Sequence, residues 1–487
     1  YTAQPLLGFG AQIWPDDMGG RQAFSDLGLS WMRMAFGPNW DALPAQPPVE
    51  ATFEEMLAYV TNNFDGDFPG RLSGAVSTMR WADAQDVTII LNQFKIPDAW
   101  LTFNDRLRES NLDEFAEYWA AVLTLFDRHG VRPDYVELAN EPNGTWNGRI
   151  TPARYAALVK VARQQLNDAG FSDVGIVGPG LSEMRLNDDY FNAMDVEAAA
   201  SIAAWSTHTW DDWAEWDARY AVFQDGMHRF DPDAIKPVFA TEYATSIDNF
   251  AGTVHDDNDE GGSNPASETH EYTIEVALNT VRLLNAGVGA PIYWQASDQP
   301  WSASTWGLLD QSDNYRDVAS SLFPILKASA DSTVVLENTN QDQNVAAFAH
   351  TPNDSLDRVT FVSVNRDTVV RPRSFVIENA LVESIGDAWL YSDSGLRNVS
   401  LDVPFAEDGS ISINQKAGSV FSVTIHVKEP APCMTDFDLN STTDFFDVLA
   451  VTDRAVTEDD SIDRVSPAGI TAADFWVALD AIQEGCP

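Results

Sequence analysis

Eight short apolar runs, most of them followed by a stretch of helical periodicity, constrain this chain more than any other feature. They span residues 6–13, 30–36, 87–94, 135–141, 174–178, 203–208, 237–242 and 291–296. Near-continuous apolar runs of this length read as strands covered on both faces, because a half-exposed strand alternates with polar residues. Strand followed by helix, repeated this often, predicts an α/β chain closed into a (β/α)8 TIM barrel rather than a doubly wound open sheet.

The fourth run ends abruptly in Asn140-Glu141-Pro142. Pro142 has no N–H to give a ladder, so the strand is predicted to stop at Glu141 and deliver its carboxyl to a loop. The seventh run also ends on an acid, in Thr241-Glu242. The C-terminal mouth of a barrel is where its chemistry sits, and ends of opposite strands meet across it. Two carboxyls about 5–5.5 Å apart suit double-displacement cleavage of a glycosidic bond, one as nucleophile and one as acid/base. The plainer reading of either glutamate is a loop-capping acid; for both to be that requires two coincidences. Arg33 stands alone among apolar neighbours in the second run. It either holds Glu242 ionised or pairs with Glu137, which alternation places on the same side of the fourth strand as Glu141.

The balance of 29 Lys+Arg against 74 Asp+Glu gives a net charge of −45, which argues against nucleic acid or an anionic membrane as partner. It suits solubility in salty water, where screening limits self-repulsion. No apolar run is long enough to span a bilayer. No CxxC, HExxH or P-loop pattern occurs, and Gly8-Phe9-Gly10 lacks the third glycine of a dinucleotide fingerprint, so no cofactor is expected to be required. The two cysteines, Cys433 and Cys486, bracket the end of the chain. They suggest one disulfide in an exported protein, with two free thiols as the alternative. A first residue Tyr1 rather than Met is in keeping with a removed signal peptide.

The barrel is expected over residues 1–326. From 327 to 428 helical periodicity gives way to clusters of β-branched residues between turn signals, which predicts a β-sandwich. Residues 429–432 are a stiff proline-rich linker. In the tail, 433–487, Thr443-Asp-Phe-Phe-Asp-Val-Leu449 is echoed by Ala473-Asp-Phe-Trp-Val-Ala-Leu479, which predicts a small duplicated helical module.

Asn140-Glu141-Pro142 on the fourth strand with Thr241-Glu242 on the seventh resembles the retaining β-glycoside hydrolases of clan GH-A, over roughly residues 6–326. The sandwich, ending in Ala417-Gly-Ser-Val-Phe-Ser-Val-Thr424, and the opening Gly8-Phe-Gly10 resemble glycoside hydrolase family thirty in particular. Families thirty-nine and eighty-six remain open. The resemblance implies Glu141 as acid/base, Glu242 as nucleophile and Asn140 on the sugar 2-hydroxyl. His208 ends the sixth strand where the clan often has His-x-Tyr. Trp210 stands in the tyrosine position, and Tyr243 is the alternative phenol, although alternation points it away. Trp294 is placed like the sugar-stacking floor. The tail resembles a degenerate dockerin-type repeat that docks to a cell surface or scaffold. Asp438 and Asp447 are too close for a twelve-residue calcium loop, and Val465 and Pro467 stand where the second copy's oxygen ligands belong.

Besides Trp294, nine tryptophans fall in segments after barrel strands: Trp14, Trp40, Trp100, Trp146, Trp210, Trp213, Trp216, Trp301 and Trp306. As a group they predict an aromatic rim for the C–H faces of sugars, about half of them touching ligand. The acidic loop His255–Glu260 is either solvated or holds a structural Ca2+. Lys95, Arg106, Arg108, Arg149 and Arg185 leave room for a sulfated or uronic group. Together these features lead to the expectation of a secreted, monomeric retaining β-glycosidase. Its expected action is internal, on a marine or plant polysaccharide such as xylan, a β-glucan or an algal galactan of the agar or porphyran type. The alternatives are exo-action that releases monosaccharide, or a non-catalytic carbohydrate-binding barrel.

Overall fold

The computed structural model describes residues 4–36, 48, 50–66, 69–146, 148–210, 215–245, 268–299, 305–330, 332, 334–336, 344–350, 357–377, 381–401, 411–428 and 451–453. The chain forms two compact units: residues 6–330, and residues 1–5 with 331–487.

The first unit is a closed eight-stranded barrel. Its strands are β1 (Gly10–Ile13), β2 (Trp31–Ala35), β3 (Thr88–Asn92), β4 (Tyr135–Glu137), β5 (Gly175–Pro179), β6 (Ala204–His208), β7 (Val238–Tyr243) and β8 (Ala290–Tyr293). All pair in parallel, and Gly10 opposite Ile292 closes the ring. Covering helices include Leu112–Arg128, Pro152–Asp168 and His270–Asn285.

Side chains fill the barrel in layers, because every second residue of each strand points inward. The lowest layer is apolar: Trp31, Ile90, Val177, Ala204, Phe239, Ala290 and Ile292, with Tyr135 against them. Two residues further along the same strands stand Arg33, Asn92, Glu137, Ser206 and Thr241, all buried. A polar stratum therefore lies directly on an apolar plug.

In the second unit, one antiparallel sheet runs in the order Gln4–Pro5, Val334–Leu336, Val345–His350, Arg358–Asn365, Ser419–Lys428, Leu381–Ser392, Gly395–Asn398. A smaller sheet joins Ile411–Gln415, Arg371–Ile377 and Val451–Asp453. Alternate residues Val359 and Phe361, and Val423, Ile425 and Val427, build one core with Phe375 and Ile411, which is sandwich packing. The first residues of the chain thus belong to the sandwich: Gln4 pairs with Val335 and Pro5 with Val334. The expected boundary at 326 falls inside the helix Asp317–Ser329. The linker, the cysteine pair, both tail repeats and the loop His255–Glu260 lie outside the described residues.

Candidate active site

Arg33 is the hub of the polar stratum. It is completely buried. Its Nε donates to Glu137 Oε2 at 2.8 Å, and its Nη1 donates to Gln12 Oε1 at 3.0 Å and Glu242 Oε2 at 2.9 Å. Nη2 donates to Asn140 Oδ1 and lies 2.7 Å from Glu137 Oε2. Both partners considered for Arg33 are therefore in contact with it: one guanidinium bridges Glu137 and Glu242. Burial pulls the guanidinium down, but the charges of Glu137 and Glu242 outweigh it and hold Arg33 above its ordinary value. Glu137 also accepts from Asn92 and Thr241, both at 2.7 Å. Gly180, with φ +62°, lets the backbone approach this carboxylate, since a Cβ there would sit 2.3 Å from Glu137 Oε1.

Glu242 reaches the interior through a β-bulge. Thr207 is opposite Ala240, but His208 is opposite Glu242, so β7 carries one extra residue. Phe239 lies in the barrel core and Thr241 bonds Glu137, so strict alternation would turn Glu242 out toward the helices. The bulge brings it back in, a use bulges often serve beside sites. It also sends Tyr243 outward, where the phenol oxygen meets Thr280 Oγ1 at 3.0 Å. Tyr243 is therefore not a site residue.

Glu141 arrives differently from the expected strand end. Strand β4 stops at Glu137, and the chain bends through residues 138–140. Glu141 itself has φ +46°, a left-handed conformation that costs a non-glycine residue of order 1–3 kcal/mol. Trp119 anchors the bend by donating to the Leu138 carbonyl at 3.0 Å. This turn, not alternation along a strand, points the Glu141 carboxyl into the mouth.

There the two acids meet. Glu141, His208 and Glu242 each offer one atom within 4.8 Å of the other two, the one such grouping among the described residues. His208 Nδ1 is 3.1 Å from Glu141 Oε1 and 3.9 Å from Glu242 Oε2. Such atoms could in principle hold a cation, but Arg33 already supplies positive charge to Glu242 at 2.9 Å. Each acid also has an indole donor: Trp146 Nε1 to Glu141 Oε2 at 2.7 Å, and Trp210 Nε1 to Glu242 Oε1 at 2.9 Å. Burial pushes the Glu242 carboxyl above the ordinary glutamate value, while His208, Arg33 and the Trp210 N–H pull it back and Glu141 adds to the push. For His208, burial pulls down, but the charge of Glu242 and the bond to Glu141 win and leave it raised.

Seven of the ten rim tryptophans are among the described residues, and they divide between the site and the packing around it. Trp14, Phe94 and Trp294 form a cluster beside Ala35, and Trp14 Nε1 bonds Gln295 Oε1 at 2.7 Å. Trp146 is half exposed. Trp100, in contrast, is fully buried against Phe115 and Tyr118, and Trp216 is buried and stacked on Tyr220. Trp100 ends a one-turn helix and packs onto the helix Leu112–Arg128, whereas Trp216 opens the helix Trp216–His228 and stacks within it. Trp306 is buried edge-on against Trp210 and steadies it. Trp40, Trp213 and Trp301 lie outside the described residues. Of the basic residues, Lys95 is 3.3 Å from Asp98 and Arg185 is committed to Glu183.

Sequence reasoning missed Gln12, Asn92 and Thr241 as partners of the charge network. The signal was present: each is a polar residue in an otherwise apolar run, two positions beyond a barrel-core position or level with one that is.

No family model and no curated protein matches the sequence. Solved structures do match. One is the family 30 subfamily 8 xylanase Xyn30A from Clostridium acetobutylicum, with TM-score 0.62 and 16% identity, over 87% of this chain and 97% of that one. Another is a GH30 endoxylanase from Clostridium papyrosolvens, with TM-score 0.61 and 18% identity, over 87% and 97%. A third is an endo-β1,6-glucanase, with TM-score 0.55 and 16% identity, over 87% and 92%. The fold is shared with these. At such identities the likeness covers the barrel-plus-sandwich plan, and the chemistry has to be argued from the residues of the site.

Trp210→Phe keeps a ring against Trp306 and removes only the N–H from Glu242. Because that N–H favours the ionised carboxylate, the acid limb of kcat/KM should move to higher pH and kcat should fall about tenfold. An unmoved limb would mean that Trp210 only packs.

Proposed function

We propose that this chain is a retaining β-glycoside hydrolase that cleaves a β-linked polysaccharide internally. The observation that carries the reading is the pair of carboxylates, Glu141 on the turn after β4 and Glu242 on β7, with an oxygen of each within 4.8 Å of the other and unequal surroundings. So close an approach is in keeping with the carboxyl pair about 5–5.5 Å apart that double displacement uses, rather than the wider pair of direct inversion.

The surroundings divide the roles. Glu242 is bonded to a permanent cation and an indole N–H, both of which favour its ionised form. It attacks the anomeric carbon. Glu141 shares Oε1 with the His208 ring, a partner able to give or take a proton. It gives a proton to the leaving oxygen as the C–O bond breaks. In the second half, Glu141 takes a proton from water, the water oxygen bonds the anomeric carbon, and the ester to Glu242 breaks. Because burial raises Glu242, activity should be lost as the pH falls through a value above the usual carboxylate range. A kcat/KM profile flat down to the ordinary glutamate value would contradict this assignment.

Internal cleavage is supported by Trp146, half exposed beside Glu141, and by a second exposed ring, Phe103, on the neighbouring loop. The two loops are joined through Leu107 N to Arg149 O at 2.9 Å and Arg149 N to Asp105 O at 2.7 Å. Secretion as a monomer, and docking by the tail to a surface or scaffold, complete the proposal. A chain truncated before Cys433 should keep full hydrolysis.

A screen over xylan, β-glucans, mannan, agarose, porphyran and carrageenan should identify the polymer, with a ladder of oligosaccharides as first products. Monosaccharide alone would favour exo-action. A mechanism-based 2-fluoro glycoside of the same sugar should label Glu242 covalently. Binding without turnover or label would favour the non-catalytic barrel.

A further inference from the structure

Residues 95–108 and 148–154 reverse the charge balance of the chain. They hold five cations, Lys95, Arg106, Arg108, Arg149 and Arg154, against two acids, Asp98 and Asp105, where the whole sequence has 29 against 74. Three of the five are committed. Lys95 lies 3.3 Å from Asp98, Arg108 Nη1 donates to the Ala99 carbonyl at 3.2 Å, and Arg154 Nη1 donates to the Leu107 carbonyl at 2.6 Å. Arg106, exposed, and Arg149, half-buried, make no side-chain hydrogen bond or ion pair among the described residues, and Arg149 Nε is buried without an acceptor. The two lie side by side. Arg149 N donates to the Asp105 carbonyl at 2.7 Å and Leu107 N to the Arg149 carbonyl at 2.9 Å, which makes Arg106 and Arg149 partners in a parallel bridge. Partners in such a bridge project to the same side. Ile150 N, bonded to the Pro142 carbonyl at 2.8 Å, ties this strip back to the residue after Glu141. Two chain spacings, about 10 Å, thus separate Arg106 from the turn that carries Glu141. Each arginine also follows an exposed ring by three residues, Phe103 and Trp146.

A chain this acidic repels an acidic polymer, so whatever admits one has to be local. Two unpaired guanidiniums held side by side match the oxygens of an oxyanion, and the rings beside them suit the C–H faces of its sugar. We propose that Arg106 and Arg149 bind an anionic substituent, a sulfate ester or a uronate carboxylate, on a sugar of the leaving-group half of the substrate. The proposal rests on the glycosidase reading of the site and names its substrate class, an acidic polysaccharide. Glu141 sets the side. It gives its proton to the leaving oxygen, and the strip with both arginines is tied to its turn, whereas Glu242 comes from β7 across the mouth.

The test compares kcat/KM on matched polymers: porphyran and carrageenan each against its desulfated form, and glucuronoxylan against its carboxyl-reduced form. The wild type should favour the charged member of one pair by about thirtyfold, and which pair it is tells sulfate from carboxylate. Arg106→Gln and Arg149→Gln keep the backbone pairing and should each lower that ratio about fivefold, through KM, with the double variant near unity. Because the readout is a ratio, a change in the folded fraction of a variant does not move it. Arg149→Lys should recover part of the loss by restoring the charge without the fork. Arg132→Gln makes the same charge change before β4, at the far end of the barrel, where Arg132 pairs with Asp127 and Asp173, and should keep the wild-type ratio. Mass spectrometry of the first products should find the anionic unit at or beside the new non-reducing end. Fastest cleavage of a neutral polymer, equal rates on both members of every pair, an equal loss in Arg132→Gln, or an anionic unit confined to the other half of the cleaved chain would each overturn the proposal. Absence of turnover on every polymer by the wild type would instead sink the glycosidase reading.

Discussion

Replacing Glu242 by Gln should abolish turnover, by about 10^4-fold or more, while leaving the protein folded. The amide fills the same volume and still accepts from Arg33, but it cannot attack. Glu242→Ala should be equally inactive, yet azide should revive it. Azide enters the space the carboxylate leaves and attacks from the same face, so the product is the α-glycosyl azide. With Glu141→Ala the rescue should run the other way, because azide then replaces the water that opens the glycosyl-enzyme and yields the β-glycosyl azide. Full activity in Glu242→Gln, or the same azide anomer from both alanine variants, would break the division of roles. The two acids differ in what touches them: a permanent cation on one, a titratable ring on the other.

The second large effect is expected at Arg33. Arg33→Met is close in volume but leaves Glu137 and Glu242 buried without their cation. Removing one partner of a buried ion pair costs about 3–5 kcal/mol, because the remaining charge stays desolvated. The melting temperature should fall by roughly 10 °C, and activity should fall with it as Glu242 takes a proton. Adding Glu137→Gln should recover part of the lost stability by removing one of the uncompensated charges. Arg33→Lys should do better than Met on stability and poorly on activity, since an ammonium cannot hold Gln12, Asn140 and both carboxylates from one plane. An unchanged melting curve in Arg33→Met would show that the network is not the keystone of the barrel mouth.

Much of this was legible in the sequence because it depends on local order. The eight runs came in the order a barrel requires, and Glu141 and Glu242 ended the fourth and seventh. What the sequence hid are single-residue departures from regular geometry. Alternation counted back from Phe239 puts Glu242 on the helix side, and only the bulge at Thr241 corrects it. Glu141 was expected at the end of a strand that in fact stops at Glu137, and a left-handed residue makes up the difference. Which tryptophans face the site was not legible for another reason. Whether a loop indole lines a cleft or fills a gap under a helix depends on what passes over it. Trp100 and Trp146 therefore look alike in sequence and are fully buried and half exposed in the fold. The exchange of a phenol for Trp210 was visible, but not that its N–H would reach Glu242.

The most direct test of the central claim, that Glu141 and Glu242 share one anomeric centre, is proton NMR of the products in the first minutes of hydrolysis. Two displacements at one carbon return the original configuration, so the β-anomer of the new reducing end should appear first and mutarotate only later. Initial release of the α-anomer would mean a single displacement by water, and the carboxylate pair described here could not then be the nucleophile and acid of the reaction.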